Sequence, residues 1–527
     1  MIKFGTGGWR AVIADEFTKE NIRLLMAGLC RLMEKEGLSG AEVCVGYDRR
    51  FLSKESAHWA AEVLVGYGFH PFVINRSSPT PLMMFTVKKR GEPYGIAVTA
   101  SHNPKEYNGY KAYWEDGAQV LSPHDTGIID EVNKVTVADV KFAANKDLIQ
   151  IIGEEIDKAY LEKIRTVCID PEVIKRQKDL KIVYTPLHGT GMMLIPQSLK
   201  LWGFENVHCV KEQMQRSGDF PTVVSPNPEN GEALTLALRD AKEIDADIVM
   251  ASDPDADRVG MACKDDKGEW ILINGNQTCL LFLYYIITNR KAMGKMKDTD
   301  FIVKTIVTTE VIRKIAEKNH IEMRDCYTGF KWIAREIAIS EGKQQFIGGG
   351  EESYGFMAED FVRDKDAVSA CSLLAEICAY AKDKGKTLYE LLMEIYLEYG
   401  FSEEYTINVV KPGKTGADEI KQMMTNFRNN PPKDLAGSKI VCSKDYQSLT
   451  QTDSEGNVTK LDMPATSNVL QWFCEDGTKL SVRPSGTEPK IKFYFEVKGT
   501  MKCAGCYTRC KEEGMAKIEE IKKQLGL

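Results

Sequence analysis

Three aspartates alternate with other residues in Asp253-Pro-Asp255-Ala-Asp257-Arg258, directly after the apolar run Ile248-Val-Met250. Alternate side chains of an extended backbone point the same way, so the three carboxylates can converge. Three anions this close repel unless a cation sits among them, and an all-oxygen ligand set favours Mg2+. A calcium EF-hand does not fit, because Arg258 stands where glycine is required and Lys264 where the bidentate glutamate belongs. The plain alternative is a solvated acidic loop, against which the buried strand feeding the loop argues.

A serine with the same kind of setting lies earlier, in Val98-Thr-Ala-Ser101-His102-Asn103-Pro104, after the apolar strand Tyr94-Gly-Ile-Ala-Val98. A polar turn there lifts one hydroxyl off the end of a sheet, where ligands bind in open α/β folds. Serine turns follow many strands for structural reasons alone, so its weight comes from company. Phe4-Gly-Thr-Gly-Gly-Trp9-Arg10 and Gly46-Tyr47-Asp48-Arg49-Arg50 supply flexible backbone and cations. Asn108-Gly109 reads as a hairpin-type turn that folds Lys111 back beside Ser101. No Gly-x-Ser-x-Gly elbow surrounds Ser101, which removes support for serine-hydrolase chemistry.

Two further loops can hold a polyol and a phosphate. In Gly348-Gly-Gly-Glu351-Glu352-Ser353-Tyr354-Gly355, the Glu351 carboxylate and Ser353 hydroxyl can pair with vicinal sugar hydroxyls, although the segment reads equally as an ordinary turn. Arg483-Pro-Ser485-Gly486-Thr487-Glu488-Pro489-Lys490 combines a bidentate guanidinium, hydroxyls and open backbone amides, a recipe for a dianionic phosphate. Thr328-Gly329-Phe330-Lys331 is another glycine-containing basic loop, equally an ordinary one.

The elements carrying these loops repeat. Val43–Tyr47, Phe72–Ile74 and Tyr94–Val98 read as strands, with helices from Ser53 to Gly66 and from Pro81 to Lys89. The pattern restarts at Leu180–Tyr184 and Asp247–Met250, and again at Asp300–Val303, a helix from Glu310 to Lys318, and Gln345–Ile347. Strands alternating with helices predict parallel sheets with both faces covered. After about Gly400 the texture becomes alternating strands, such as Lys490–Val497, with one terminal helix: an α+β tail. A chain of 527 residues suits three to four such domains, expected at 1–175, 176–285, 286–405 and 406–527.

Composition excludes several classes. The net charge of −7 gives no reason to expect general nucleic-acid affinity. The longest apolar stretch, Cys279–Ile287, is too short to span a bilayer, and the start of the chain has no signal-peptide pattern. Fourteen cysteines without framework spacing fit a reduced, cytoplasmic enzyme. Cys503, Cys506 and Cys510, at i, i+3 and i+7, are expected to face the core from one side of a helix rather than to bind metal.

Taken in order, the four loops resemble those of the α-D-phosphohexomutase family over essentially the whole chain. Gly109-Tyr-Lys-Ala-Tyr-Trp, Gly117-Ala-Gln-Val-Leu-Ser-Pro-His-Asp125 and Thr328-Gly-Phe-Lys-Trp332 are similar to its phosphoglucomutase/phosphopentomutase branch. The resemblance implies three similar α/β domains with mixed sheets and a C-terminal α+β domain around a central cleft. It implies that Ser101 carries a phosphoryl group, with Mg2+ on Asp253, Asp255, Asp257 and the phosphoserine. It further implies Lys111 as a proton-transfer group, with Arg10, His102 and Arg258 arranging charge. Glu351, Ser353, Gly329 and Lys331 would face the sugar, and Arg483, Ser485, Gly486, Thr487 and Lys490 the non-reacting phosphate.

Tyr354-Gly355 replaces the Gly-His pair that mannose/glucose mutases of the family often carry, which favours glucose and leaves the second acid/base group open. The expected reaction interconverts glucose 1-phosphate and glucose 6-phosphate through glucose 1,6-bisphosphate, with pentose or mannose phosphates as alternatives. The enzyme would act on small-molecule sugar phosphates, as a monomer or weak homodimer, without nucleic-acid or membrane partners. A haloacid-dehalogenase-like phosphatase would also place Asp253-Pro-Asp255 after a strand, but Asp257 occupies its usual Thr/Val position. A non-catalytic sugar-phosphate sensor would have no use for Ser101, Lys111 and the aspartates together.

Overall fold

The computed structural model describes residues 2, 8–144, 149–411, 415–486 and 489–527. They fall into two units, residues 1–305 with 321–389, and residues 306–320 with 390–527.

The first unit holds three mixed sheets built to one scheme. In the first, Glu42–Tyr47 lies between His70–Ile74 and Tyr94–Val98, all parallel, and Tyr107–Trp114 returns antiparallel beside Tyr94–Val98. Trp9–Val12 and Gln150–Ile152 close its edges. In the second, Lys181–Thr185 lies between Asn206–Cys209 and Ile248–Ser252, and Val259–Lys264 returns antiparallel. In the third, Asp300–Thr305 lies between Glu322–Cys326 and Gln345–Gly350, and the short Phe356–Met357 returns. Each scheme therefore leaves one loop between its last parallel strand and the antiparallel return: the serine loop, the aspartate loop and the Glu351 loop.

The sequence accounts for these elements. Runs such as Val43-Cys-Val-Gly-Tyr47 are apolar on both faces because helices cover both. The helix Lys19–Lys35 starts where the Thr18 hydroxyl accepts from Asn21 N at 3.2 Å, and it buries Ile22, Leu25, Met26, Leu29 and Met33 at helical spacing. The helix Gly275–Ala292 contains the apolar run Cys279–Ile287 and is buried almost all round. Among the described residues no helix is long and apolar enough to cross a membrane.

The second unit is one antiparallel sheet on a core of Ile420, Met424, Leu480, Val482, Ile491, Phe493, Ile518 and Ile521. Phe401–Val410 pairs with Lys490–Gly499 along its full length, and Lys479–Pro484 flanks the latter. The helix Val311–Asn319 connects strands of the third sheet in chain order but belongs to this unit. Its approach is clamped there: buried Lys479 donates to Thr308 O at 3.1 Å and pairs with Glu310 at 3.0 Å and Glu496 at 2.8 Å.

Three expectations change. The domain joints foreseen at 175/176, 285/286 and 405/406 fall inside Pro171–Arg176, Gly275–Ala292 and Phe401–Val410, because composition registers a change of texture and not the caps that end elements. Asn108-Gly109 is no turn; it lies within the strand Tyr107–Trp114, and the chain reverses before it. Gly109 is needed because a β-carbon there would sit 2.5 Å from both Thr99 O and Trp9 O. Of the three C-terminal cysteines only Cys510 is a buried helical residue. Cys503 and Cys506 precede the helix Tyr507–Leu525 and form a disulfide, a pairing that an i, i+3 spacing also permits.

Candidate active site

Ser101 lies at the end of Tyr94–Val98 and is 1% exposed. Its φ of +53° is left-handed, a conformation that costs a residue with a β-carbon about 1 kcal/mol. There its hydroxyl donates to Asp253 Oδ2 at 2.8 Å and stands 3.2 Å from His102 Nδ1. Burial first, then the Arg258 and Arg10 guanidinium groups, hold His102 far below the usual imidazole range, so its ring is neutral. Arg10 reaches the same loop through Asn103 Oδ1 at 2.8 Å.

The aspartates converge, though through a turn with Ala256 left-handed rather than along extended backbone. Asp253, Asp255 and Asp257 are all buried, with one oxygen from each lying within 4.8 Å of the others. Asp253 Oδ1 accepts from the Asp257 and Arg258 amides at 3.1 Å each, which wraps the loop around it. Lys111 Nζ donates to Asp255 Oδ2 at 2.8 Å and to Asp257 Oδ2 at 3.1 Å. Thr80, at the start of the helix Thr80–Arg90, adds its hydroxyl to Asp255 Oδ2 at 2.9 Å. Lys365 Nζ stands 3.4 Å from Asp257 Oδ2. What remains is informative: Asp255 Oδ1 and Asp257 Oδ1 are buried with no hydrogen-bond partner among the described residues.

The electrostatics agree with that geometry. Burial pulls the Lys111 ammonium down, but Asp255 and Asp257 outweigh it and hold the group charged. Burial also opposes ionisation of Asp255, yet Lys111, with hydrogen bonds from Lys111 and Thr80, keeps it below the usual carboxylate range. Asp253 goes the other way: burial, reinforced by Asp257 and Asp255, raises it well above that range. Buried acids this close oppose one another's ionisation, and a divalent cation among them would relieve that repulsion. The donor set and the two orphaned oxygens fit a hard, oxygen-loving metal ion.

The Glu351 loop adjoins the aspartate loop. Val259 N donates to Tyr354 O at 3.1 Å, and Arg258 bridges to Gly355. Glu351 is 4% exposed and accepts from Gly329 N at 2.5 Å, so two of the expected sugar-facing residues meet directly. Burial, with Glu352 adding to it, pushes the Glu351 carboxyl up to about 7. Ser353 is half-buried in the same loop, and Lys331 lies 3.7 Å from Asp125 Oδ2. Arg258 points its guanidinium at Glu229 Oε1, 2.8 Å away.

In the second unit, Arg483, Ser485, Gly486 and Lys490 surround a hairpin tip, where Ser485 N donates to Lys490 O at 2.8 Å. Thr487 lies outside the described residues.

Several participants carry little signal of their own in the sequence. Thr80 carries no sequence signal beyond preceding a proline. Lys365 sits in Arg363-Asp364-Lys365-Asp366, a charge run of the kind usually solvated, yet Arg363, Asp364 and Asp366 are 2% exposed or less. Asp48, Arg50 and Thr99 form a buried network beneath the serine, although the motif had suggested only loose cations.

A buried serine against three converging carboxylates, on repeated α/β sheets beside a carboxylate loop, suits an enzyme that transfers a phosphoryl group. Comparison with known proteins is specific. Residues 1–139, 158–268, 274–399 and 445–505 match, respectively, α/β/α domains I, II and III and the C-terminal domain of the phosphoglucomutase/phosphomannomutase family. The phosphoglucomutase of Staphylococcus haemolyticus (strain JCSC1435) is 32% identical over 504 residues, 94% of this chain and 90% of the relative. That of Staphylococcus aureus (strain MRSA252) is 34% identical over 506 residues, with the same coverage. A crystal structure from Thermus thermophilus, provisionally assigned as a phosphomannomutase, shares the fold, with a TM-score of 0.75 at 23% identity over 100% of this chain and 99% of that one. The chain belongs to the α-D-phosphohexomutase family and is a phosphomutase, an intramolecular phosphotransferase.

Proposed function

We propose that the enzyme interconverts α-D-glucose 1-phosphate and glucose 6-phosphate, with Ser101 as the phosphoryl carrier and glucose 1,6-bisphosphate as the intermediate. The observation that carries this reading is the Ser101 hydroxyl, 2.8 Å from an aspartate triplet in which two buried oxygens have no hydrogen-bond partner among the described residues. A Mg2+ ion held by Asp253, Asp255 and Asp257 would neutralise charge on the transferring phosphoryl oxygens.

The chain's own groups supply the rest. In the forward half, the bond from phosphorus to Ser101 Oγ breaks as one forms to the free sugar hydroxyl. Lys111, kept protonated by Asp255 and Asp257, is assigned to return a proton to Oγ. The sugar hydroxyl gives its proton to the lysine as it takes the phosphoryl group, so Lys111 ends protonated and the site's proton count is unchanged. His102 Nδ1, 3.2 Å from Oγ, is assigned to arranging charge around the reacting phosphate. The second half reverses these events on the other phosphate of the turned bisphosphate.

Glu351, Ser353 and Lys331 are assigned to the sugar, with Gly329 holding Glu351. Arg483, Ser485, Gly486, Thr487 and Lys490 are assigned to a phosphate dianion. Glucose is favoured over mannose by Tyr354-Gly355, and the two staphylococcal relatives are phosphoglucomutases. Specificity constants for glucose, ribose and mannose 1-phosphates, each with its bisphosphate, test the substrate. A larger constant for ribose 1-phosphate would replace glucose with pentose. Intact-mass analysis tests the carrier, since Ser101→Ala should abolish both the phosphoryl adduct and turnover.

A further inference from the structure

The motif Asp48-Arg49-Arg50 follows the strand Glu42–Tyr47, and no step of the proposed reaction uses it. Arg50 is 3% exposed, and its guanidinium is threaded through the serine loop. Nη2 donates to Ser101 O at 2.5 Å and also to Asn103 O, while Nη1 donates to Pro104 O at 2.8 Å and Tyr107 O at 3.1 Å. Nε lies 3.3 Å from Asp48 Oδ2, and the ring of Phe220 lies 5.1 Å from the guanidinium carbon.

Asp48, 2% exposed, closes a circuit around the same serine. It accepts from Arg50 N at 2.9 Å, Ser53 Oγ at 2.6 Å and Thr99 Oγ1 at 2.7 Å. Thr99 Oγ1 in turn accepts from Ser101 N at 2.9 Å. One buried ion pair thus reaches both sides of the Ser101 peptide, the carbonyl through Arg50 and the amide through Thr99.

We infer that Asp48 and Arg50 are positioning residues that lock Ser101 in its left-handed conformation and so keep its hydroxyl on the metal-binding aspartates. The inference rests on the reading of Ser101 as the phosphoryl carrier. The reason for arginine is geometric: its planar fork serves four carbonyls at once, whereas a lysine ammonium has three donors on a flexible stem. Neither residue need touch the substrate. Their loss should therefore slow phosphoryl transfer without weakening sugar-phosphate binding.

The test uses full-length enzyme with Mg2+, glucose 1-phosphate and [32P]glucose 1,6-bisphosphate, and normalises rates to phosphorylatable sites. Arg50→Lys should lower kcat about a hundredfold, the scale of a small misplacement of reacting atoms. The KM for glucose 1-phosphate should stay within about threefold, and labelling of Ser101 should slow in step with kcat. In Arg50→Ala, added guanidinium chloride at millimolar concentration should restore turnover and an equal concentration of sodium chloride should not. Should the Arg50 variants fail to fold, Thr99→Val removes the acceptor of Ser101 N and should cost about tenfold in kcat, the worth of one hydrogen bond. Unchanged kcat per labelled site, or a KM that rises while kcat holds, overturns the inference. Ser101→Ala separates the two readings, because turnover in that variant would sink the carrier assignment itself.

Discussion

Replacing Lys111 with methionine tests whether the aspartate triplet is built around a charge balance that the lysine only partly supplies. The lysine stands 2.8 Å from Asp255 and 3.1 Å from Asp257, with its side chain 4% exposed. At an effective dielectric of about 20, each contact is worth roughly 5–6 kcal/mol of attraction before desolvation. Removing one partner of a buried pair costs about 3–5 kcal/mol, because the other charge is left uncompensated. Metal-free Lys111→Met should be destabilised on that scale. Its Mg2+ affinity should move the other way: with the competing ammonium gone, a divalent cation has more unbalanced charge to neutralise. We expect Mg2+ to bind at least about tenfold tighter, adding about 1.4 kcal/mol or more of ligand-linked stability at saturation, while turnover collapses. Calorimetric titration with MgCl2 at pH 8, paired with thermal unfolding in EDTA and in excess Mg2+, reads both quantities. Equal Mg2+ affinity in the two proteins, or a metal-free variant as stable as the parent, would refute the picture of Lys111 as a resident counter-charge.

Other outcomes follow from single contacts. A β-carbon at Gly189 would sit 2.5 Å from Pro254 Cα and 2.8 Å from Pro254 O, so Gly189→Ala must push the aspartate loop; it should cost about 1–3 kcal/mol of stability and weaken Mg2+ binding, and unaltered Mg2+ affinity would show that the loop absorbs the push. Glu92, 1% exposed, is driven up to about 7 by burial despite its pairing with Arg90. Its raised value means the protonated form favours folding, so stability present below about pH 4.5 is lost as pH rises through 7, by about 3 kcal/mol. Glu92→Gln should flatten that decline, measured as urea midpoints from pH 5 to 8.5, and a parallel decline in both proteins would contradict it. Arg483→Ala should lower kcat/KM by about 10- to 150-fold through loss of a charged hydrogen bond to phosphate, whereas normal turnover would remove the hairpin tip from the phosphate site.

The sequence exposed the repeated elements well because their signals are local. A helix expected from Ser53 to Gly66 is found as Ser53–Gly66, and strands expected at Tyr94–Val98 and Lys490–Val497 are found as Tyr94–Val98 and Lys490–Gly499. The aspartate spacing marked the segment, but the three carboxylates meet through a turn with Ala256 left-handed and not through alternation along an extended strand. What stayed hidden depends on partners distant in the chain. Nothing near Thr80 announces Asp255, and nothing near Asp48 or Arg50 announces Thr99 or the carbonyl of Ser101. Lys365 was masked by its own neighbourhood, because a run of alternating charges reads as solvated until the fold buries it. Lys111 was placed near the site for the wrong local reason: the strand it occupies, not a turn, delivers it, with Ala97 as its cross-strand partner.

The common position of the three loops in the first unit has a physical cause. After two of the parallel strands in each sheet, the chain crosses over by way of a helix to the next parallel strand. After the third it turns straight back into an antiparallel partner, so the loop is pinned at both ends by ladder pairs: Val98 to Tyr110, Ser252 to Val259, and Gly350 to Phe356. Such a loop has little freedom to reorganise, and its amides remain available to fix side chains, as the Asp257 and Arg258 amides fix Asp253. It can also tolerate strain that a looser connection would relax. Ser101, Ala256 and Tyr354 all have positive φ, one in each of the three loops. Left-handed residues therefore recur where a strand end must present a side chain outward. The ladders that hold them also supply the rigidity that phosphoryl transfer requires, since its rate rests on placement more than on covalent reactivity.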